Sequence, residues 1–227
     1  MNPYPRDFFA LQLMFARKMA TLAQQTPHDA IRLDTALYRI MGLDWSLNPQ
    51  NQTWQAYIEG LALSGTEEQW TDWTHQFYLA RYDQLPKYNT PRWGCFSYEY
   101  NVEQQLIHIH FSNLDASGYG PLSSLRKEAR IRELASMFTH IKEKHPDAQS
   151  VQGGSWLYNR IEYTRLFPDE YTRHARPAIN GLVGRGTWGQ LLRHGEILNE
   201  QTAQRFRERV HQWNDVEQLG AIEYAAI

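Results

Sequence analysis

The sequence predicts an α+β protein, with a helical unit over residues 1–85 followed by a mixed β-sheet flanked by helices over 93–227. Two periodicities carry that prediction. Up to about Leu85 apolar residues recur at spacings of three and four, as on a helix face; past "LPKYNTPRWG", punctuated by prolines and a glycine, they alternate, as in strands. Length agrees, since 227 residues can bury a sizeable core as one large domain or two small ones.

Phe8, Leu11, Phe15, Met19 and Leu22 give the first helix an apolar face. The spacing predicts a second from Pro27 through Ile31, Leu37 and Ile40, stopping at Gly42. "NPQNQTWQAYIEGLALSG" supplies a third and "TEEQWTDWTHQFYLARYDQL" a fourth, with Thr66 as N-cap and Glu67 and Glu68 suited to the positive helix start. Beyond the linker, "CFSYEY" alternates Phe96, Tyr98 and Tyr100 with Cys95, Ser97 and Glu99, and "LIHIHF" alternates Ile107, Ile109 and Phe111 with His108 and His110. A hairpin turning near "NVEQQ" joins them. If the apolar faces coincide, the other face carries Cys95, Ser97, Glu99, His108 and His110. A loop, "SNLDASGYGPLSS", leads into a helix from about Ser124 to Lys144 with Ile131, Leu134, Phe138 and Ile141 as its core stripe. A short strand ending at Gly153 and Gly154 follows. Short helices are predicted at Tyr158–Leu166, after Pro168 and at Thr187–Arg193, and a longer one at Glu200–Trp213.

Charge argues against two classes of partner. With 23 Lys+Arg against 25 Asp+Glu and a pI near 6.5, nothing overall attracts nucleic acid or an anionic membrane. The early "FFALQLMFARK" has the wrong flanks for a secretory signal, because Asp7 offsets Arg6 and Arg17 and Lys18 come after it; it is also too short to span a bilayer. One cysteine, Cys95, leaves no internal disulfide and no zinc-finger pattern, which fits a reducing cytoplasm. Within a strand it reads as a small buried hydrophobe rather than a nucleophile.

Three constellations carry candidate chemistry. His108 and His110, two apart on one strand, point the same way, and Glu99 across the hairpin completes a general base or a metal site. Gly118 and Gly120 let backbone amides approach a ligand where a helix begins; Arg126, Lys127 and Arg130 oppose the helix dipole there unless an anion sits among them. "VQGGSWLYNRIEYTRLFPDEYTRHARP" crowds aromatic residues with arginines. Its Ser155 lacks the second glycine of a nucleophile elbow, since Leu157 stands in that place, so Trp156, Leu157, Tyr163, Leu166 and Phe167 read as a packed corner.

The order strand, glycine-containing loop, helix, strand, helix over Trp93–Phe167 resembles the core of GNAT-type N-acyltransferases. In that resemblance "LIHIHF" is the central strand, "SGYGPLS" the phosphate loop and "AQSVQGG" the next strand. It implies acetyl-CoA or another acyl-CoA as cofactor, held by its pyrophosphate on the loop and helix start through Gly118, Gly120, Arg126, Lys127 and Arg130. It also implies a small-molecule substrate and two adjacent strands splayed to admit the acyl group. Glu99, His108 and His110 are then the bases that deprotonate an amine, and Tyr158 or Ser155 the acid for the leaving thiolate. Two positions depart from the family's loop: Asp115 stands where it has Arg or Gln, and Pro121 removes a backbone donor at the helix start.

Two other readings stay open. Tyr158, Asn159, Arg160, Arg165, Arg173, His174 and Arg176 suit a non-catalytic surface that binds a ligand or a protein through arginine and aromatic residues. The third is a metal-dependent enzyme using His108 and His110.

Overall fold

The computed structural model describes residues 2–85, 90–177, 183–214 and 225–226, and the fold is α+β. Helix α1 (Arg6–Leu22) buries Phe8, Phe9, Leu11, Leu13, Phe15 and Met19. α2 (Pro27–Asp34) is capped by Thr26, whose side chain accepts the Asp29 N–H. Where the spacing predicts one helix up to Gly42, the chain breaks at Thr35, which is extended at φ −129°, ψ 168°. The Thr35 hydroxyl accepts the Leu37 N–H and so starts a separate turn, α3 (Leu37–Ile40), before Gly42 ends it at φ +84°. α4 (Gln52–Ala62) begins at Asn51 and α5 (Glu67–Arg81) at a reciprocal capping box between Thr66 and Gln69.

The sheet begins with β1 (Arg92–Trp93), then the hairpin β2 (Phe96–Asn101) and β3 (Leu106–Phe111). Its register sets Ser97 opposite His110 and Glu99 opposite His108, so these four share a face, as the alternation requires. A 3-10 turn at Ser124–Arg126 leads into α6 (Lys127–Lys144). The buried stripe of α6 is Arg130, Leu134, Met137 and Ile141; with Arg130 turned inward, Ile131 is rotated to the surface. Leu134, Met137 and Ile141 pack on Phe96, Tyr98, Ile107 and Ile109. After the helix, β4 (Ser150–Ser155) lies parallel to β3, as a crossover helix permits. α7 (Ile161–Thr164), α8 (Asp169–Thr172) and β5 (Arg176–Pro177) follow.

The remaining segment does not stay with the sheet. α9 (Arg185–Trp188), the short pair β6 (Leu192–Arg193) and β7 (Ile197–Leu198), and α10 (Glu200–Gln212) bury Trp188, Leu191, Ala203, Val210 and Trp213 in the same core as Phe15. The predicted cut into 1–85 and 93–227 therefore becomes a split in which Met1–Lys87 and Asn180–Ile222 form one compact unit, and Tyr88–Ile179 with Glu223–Ile227 the other. The last strand, β8 (Ala225–Ala226), pairs with both β4 and β5, giving the sheet order β1-β2-β3-β4-β8-β5.

Candidate functional site

The parallel ladder of β3 and β4 runs from Leu106↔Ser150 to Ile109↔Gly153 and stops, although β3 continues to Phe111 and β4 to Ser155. Past Gly153 the pairing of β4 passes to β8. The ladder between these two parallel strands thus ends before either strand does. His110 is the first residue of β3 beyond the last pair and shares its face with Ser97 and Glu99. Gly153 shares the opposite face with Ile109, where a Cβ atom would lie 2.0 Å from the Tyr158 hydroxyl oxygen. Only glycine admits that approach. His110 lies one residue beyond the last pair on one face, and the Tyr158 hydroxyl lies against that pair on the other.

On the first face His110 Nε2 lies 3.7 Å from Glu99 Oε2, with both side chains about half exposed. Desolvation beneath its neighbours lowers the His110 pKa; Glu99 pulls it up and His108 down. His108 faces Glu99 on one side and Gln152 on the other. Among the described residues no three His, Cys, Asp or Glu side chains are placed to hold a metal ion. Cys95, expected beside these histidines, instead meets α6, where Arg130 Nη1 donates to its sulfur. Burial pushes the Cys95 thiol up, which keeps it protonated and weakly nucleophilic.

On the second face Tyr158 is 5% exposed and its hydroxyl lies 2.9 Å from that of Tyr171. Tyr163 and Phe167 close around it, with ring centroids 5.0 and 6.0 Å away. Burial pushes the Tyr158, Tyr163 and Tyr171 hydroxyls well above their ordinary range. The sequence singles out Tyr158 but not Tyr171, because the residues lie thirteen apart and only the fold brings them together. Ser155, the other acid candidate, is committed to the backbone, accepting the Leu157 N–H to cap the following turn.

The glycine loop divides the predicted phosphate site. Gly118 has φ +82°, and neither its Cβ position nor that of Gly120 meets any atom within 4 Å, so the loop backbone is open. Arg126 and Arg130 are not. Arg126 Nε lies 2.5 Å and Arg130 Nη2 3.1 Å from Asp115 Oδ2, and Arg130 Nη2 lies 2.8 Å from Glu133 Oε1. Asp115 also accepts the Ser117 N–H, and Glu133 the Cys95 N–H. Hydrogen bonding from Ser117, joined by Arg126, holds the Asp115 carboxyl well below the usual carboxylate range. The cations that asked for an anion at the helix start are answered by the chain's own carboxylates. Lys127 forms no ion pair among the described residues.

Of the C-terminal arginines, Arg160 pairs with Glu162 at 3.3 Å, whereas Arg165 donates to the Leu122 carbonyl at 3.1 Å. Arg173 is exposed and forms no ion pair among the described residues. No helix among the described residues is long and apolar enough to cross a membrane. No protein-family description, no curated protein and no solved structure matches this chain.

Proposed function

We propose that the sheet-bearing unit is a small-molecule N-acyltransferase using an acyl-CoA, with transfer at the end of the β3–β4 ladder. The observation that carries this reading is the end of the β3–β4 ladder, with His110 just beyond it on one face and the Tyr158 hydroxyl against Gly153 on the other. The parallel pair β3 and β4, joined through the glycine loop and α6, supports it as well. Coenzyme A would meet the loop's open backbone, whereas its arginines are already paired with carboxylates: the Gly118–Gly120 segment and Lys127 are the groups to hold it, not Arg126 and Arg130.

A bound acyl thioester supplies an activated carbonyl carbon and a thiolate leaving group. His110, its pKa lowered, is neutral near pH 7 and accepts the proton of an attacking amine, and the Glu99 carboxylate stabilises the imidazolium that results. Tyr158 holds its proton too firmly to surrender it, so it serves as a hydrogen-bond donor to developing negative charge rather than as an acid. The new carbon–nitrogen bond replaces the carbon–sulfur bond, the amine proton ends on His110, and the thiolate takes its proton from solvent.

The test is thiol release from acetyl-CoA and longer esters in the presence of a panel of small amines. His110→Ala should slow it about 100- to 10,000-fold, the usual contribution of a general base. Absence of both thiol release and a thermal shift with every ester would overturn the reading. It would favour instead a non-catalytic binding protein, for which exposed Arg173, with no ion pair among the described residues, speaks.

A further inference from the structure

Three polar residues, one from each of the first three strands, line up across the sheet on the face that α6 does not cover. Register places Arg92 of β1 against Ser97 of β2, and Ser97 against His110 of β3, while α6 packs on the alternate residues Phe96, Tyr98, Ile107 and Ile109. Residues paired in this way share a face, with Cβ atoms about 4.5–5.5 Å apart. Glu99, two residues along β2, joins the row from the side, and His110 Nε2 lies 3.7 Å from its Oε2. The other ring nitrogen, Nδ1, has no hydrogen-bond partner among the described residues. It is the nitrogen left to meet the hydroxyl of Ser97.

Ser97 is 4% exposed, yet its hydroxyl makes no hydrogen bond among the described residues. Its oxygen is not one of the sealed, partnerless atoms of the interior, so the little of Ser97 that solvent reaches includes the hydroxyl. A mostly buried polar group without a protein partner asks for something else to complete it. Its neighbours supply what turns a serine into a nucleophile: an imidazole to take the proton, a carboxylate to stabilise the imidazolium, and a cation for the oxyanion that follows. Desolvation lowers the His110 pKa and the Arg92 charge adds to the effect, so the base is neutral near pH 7 and Arg92 lies within electrostatic reach of the ring. Arg92 is exposed, with Nη1 donating to the Ser112 hydroxyl at 3.2 Å and no carboxylate paired with it among the described residues.

We propose that Ser97, His110, Glu99 and Arg92 form a nucleophilic centre that takes an acyl group from an activated ester or thioester onto the Ser97 oxygen. Ser97 Oγ attacks the carbonyl carbon, its proton passes to His110 Nδ1, and Arg92 faces the oxyanion. Collapse breaks the bond to the leaving group, which takes the proton from His110. Water, or an amine in its place, then attacks the acyl carbon, gives a proton to His110 and displaces Ser97, which recovers that proton. The centre rests on the acyl-transfer reading only in sharing His110; it adds a covalent intermediate and needs no coenzyme A.

The probe is p-nitrophenyl acetate, incubated with the full chain and followed by nitrophenolate release and by peptide mass mapping. Wild type should give a burst of nitrophenolate and an acetyl group on Ser97. Ser97→Ala should abolish both, and His110→Gln should slow acylation about 100- to 10,000-fold. Arg92→Gln should slow it about 100- to 1,000-fold, as loss of an oxyanion donor does. Ser97→Cys keeps a nucleophile of similar size, so it should retain the burst and carry the acetyl group as a thioester; it decides if Ser97→Ala fails to fold. Ester cleavage that survives Ser97→Ala runs through the imidazole alone and overturns the proposal, as does labelling confined to lysines or no cleavage at all. Amine acylation from acetyl-CoA that is unchanged in Ser97→Ala would sink this centre and leave direct transfer standing. Acetyl-Ser97 formed by a chain that neither binds coenzyme A nor acylates amines would sink the transferase reading alone.

Discussion

Asp115 and Arg130 bury opposite charges against each other at 3.1 Å, each side chain 2% exposed, with Arg126 and Glu133 completing the cluster. The pair ties the loop after β3 to the first turns of α6, and through Cys95 to the start of β2. Breaking a buried pair by neutralising one member leaves a charge stranded, which typically costs about 3–5 kcal/mol. Asp115→Asn should lower stability by that order in urea unfolding followed by fluorescence. A change under about 1 kcal/mol would show that water reaches the cluster.

The same cluster sets an acid limit. The Asp115 carboxyl titrates below the usual carboxylate range when folded and near about 3.9 when unfolded, so the unfolded chain binds more protons between those values. Its contribution is therefore full above about pH 4 and is lost as pH falls below that toward the folded value. Wild type should lose stability more steeply than Asp115→Asn as pH is lowered through this window, and parallel curves would contradict the assignment.

What the sequence made legible and what it hid divide by range of interaction. The alternation of "CFSYEY" and "LIHIHF" sets which residues share a face, and the Glu99, His108 and His110 face follows from it. Local chemistry also located the Thr66 cap. Hidden were matters decided by distant partners. Arg130 reads as a surface cation until Asp115, fifteen residues earlier, pulls it inward and displaces Ile131 from the stripe. Trp188 and Val210 carry no mark of which core they join; Phe15 and its neighbours decide that. Tyr158 was visible as a candidate, but the raised pKa that changes its role comes from its burial in the fold and from Tyr163 beside it.

Gly153 and Tyr158 should behave as one unit. A methyl group at 153 would lie 2.0 Å from the Tyr158 hydroxyl and 2.9 Å from Cζ, so Gly153→Ala must displace the ring. Overpacking of this kind costs about 1–3 kcal/mol. Tyr158→Phe alone loses the bond to Tyr171, worth about 0.5–1.5 kcal/mol, yet in the Gly153→Ala background it removes the closest clash. The double variant should therefore be more stable than the sum of the single changes. Strict additivity would mean that the hydroxyl does not rest on Gly153.

His110 offers a readout that joins site and stability. Its folded pKa is lowered below the ordinary value of about 6.5, so between the two values the unfolded chain binds the extra proton and stability rises with pH. The contribution is complete above about pH 6.5 and is lost as pH falls through the folded pKa. Acyl transfer, if His110 is the base, should be flat above neutrality and fall on the acid side with a midpoint below about 6.5. Removing the carboxylate by Glu99→Gln should move that midpoint further down, since Glu99 is the neighbour that favours the charged imidazole. A midpoint that rises in Glu99→Gln would show that another group titrates.

Gly118 and Gly120 separate folding from binding within one loop. Gly118 sits at φ +82°, a left-handed backbone that an L side chain adopts at a cost of about 1–2 kcal/mol, so Gly118→Ala should lower stability by roughly that amount. Gly120 lies outside the left-handed region, and its Cβ would project into open space, so Gly120→Ala should change stability by less than about 0.5 kcal/mol. Gly120 therefore offers a position where bulk can be added to the loop without a folding cost. Gly120→Trp, which folds if the space is open, should leave thermal unfolding near wild type while abolishing the stabilisation by coenzyme A. Retained stabilisation in Gly120→Trp would move the ligand off the loop and leave the end of the β3–β4 ladder without a donor site beside it.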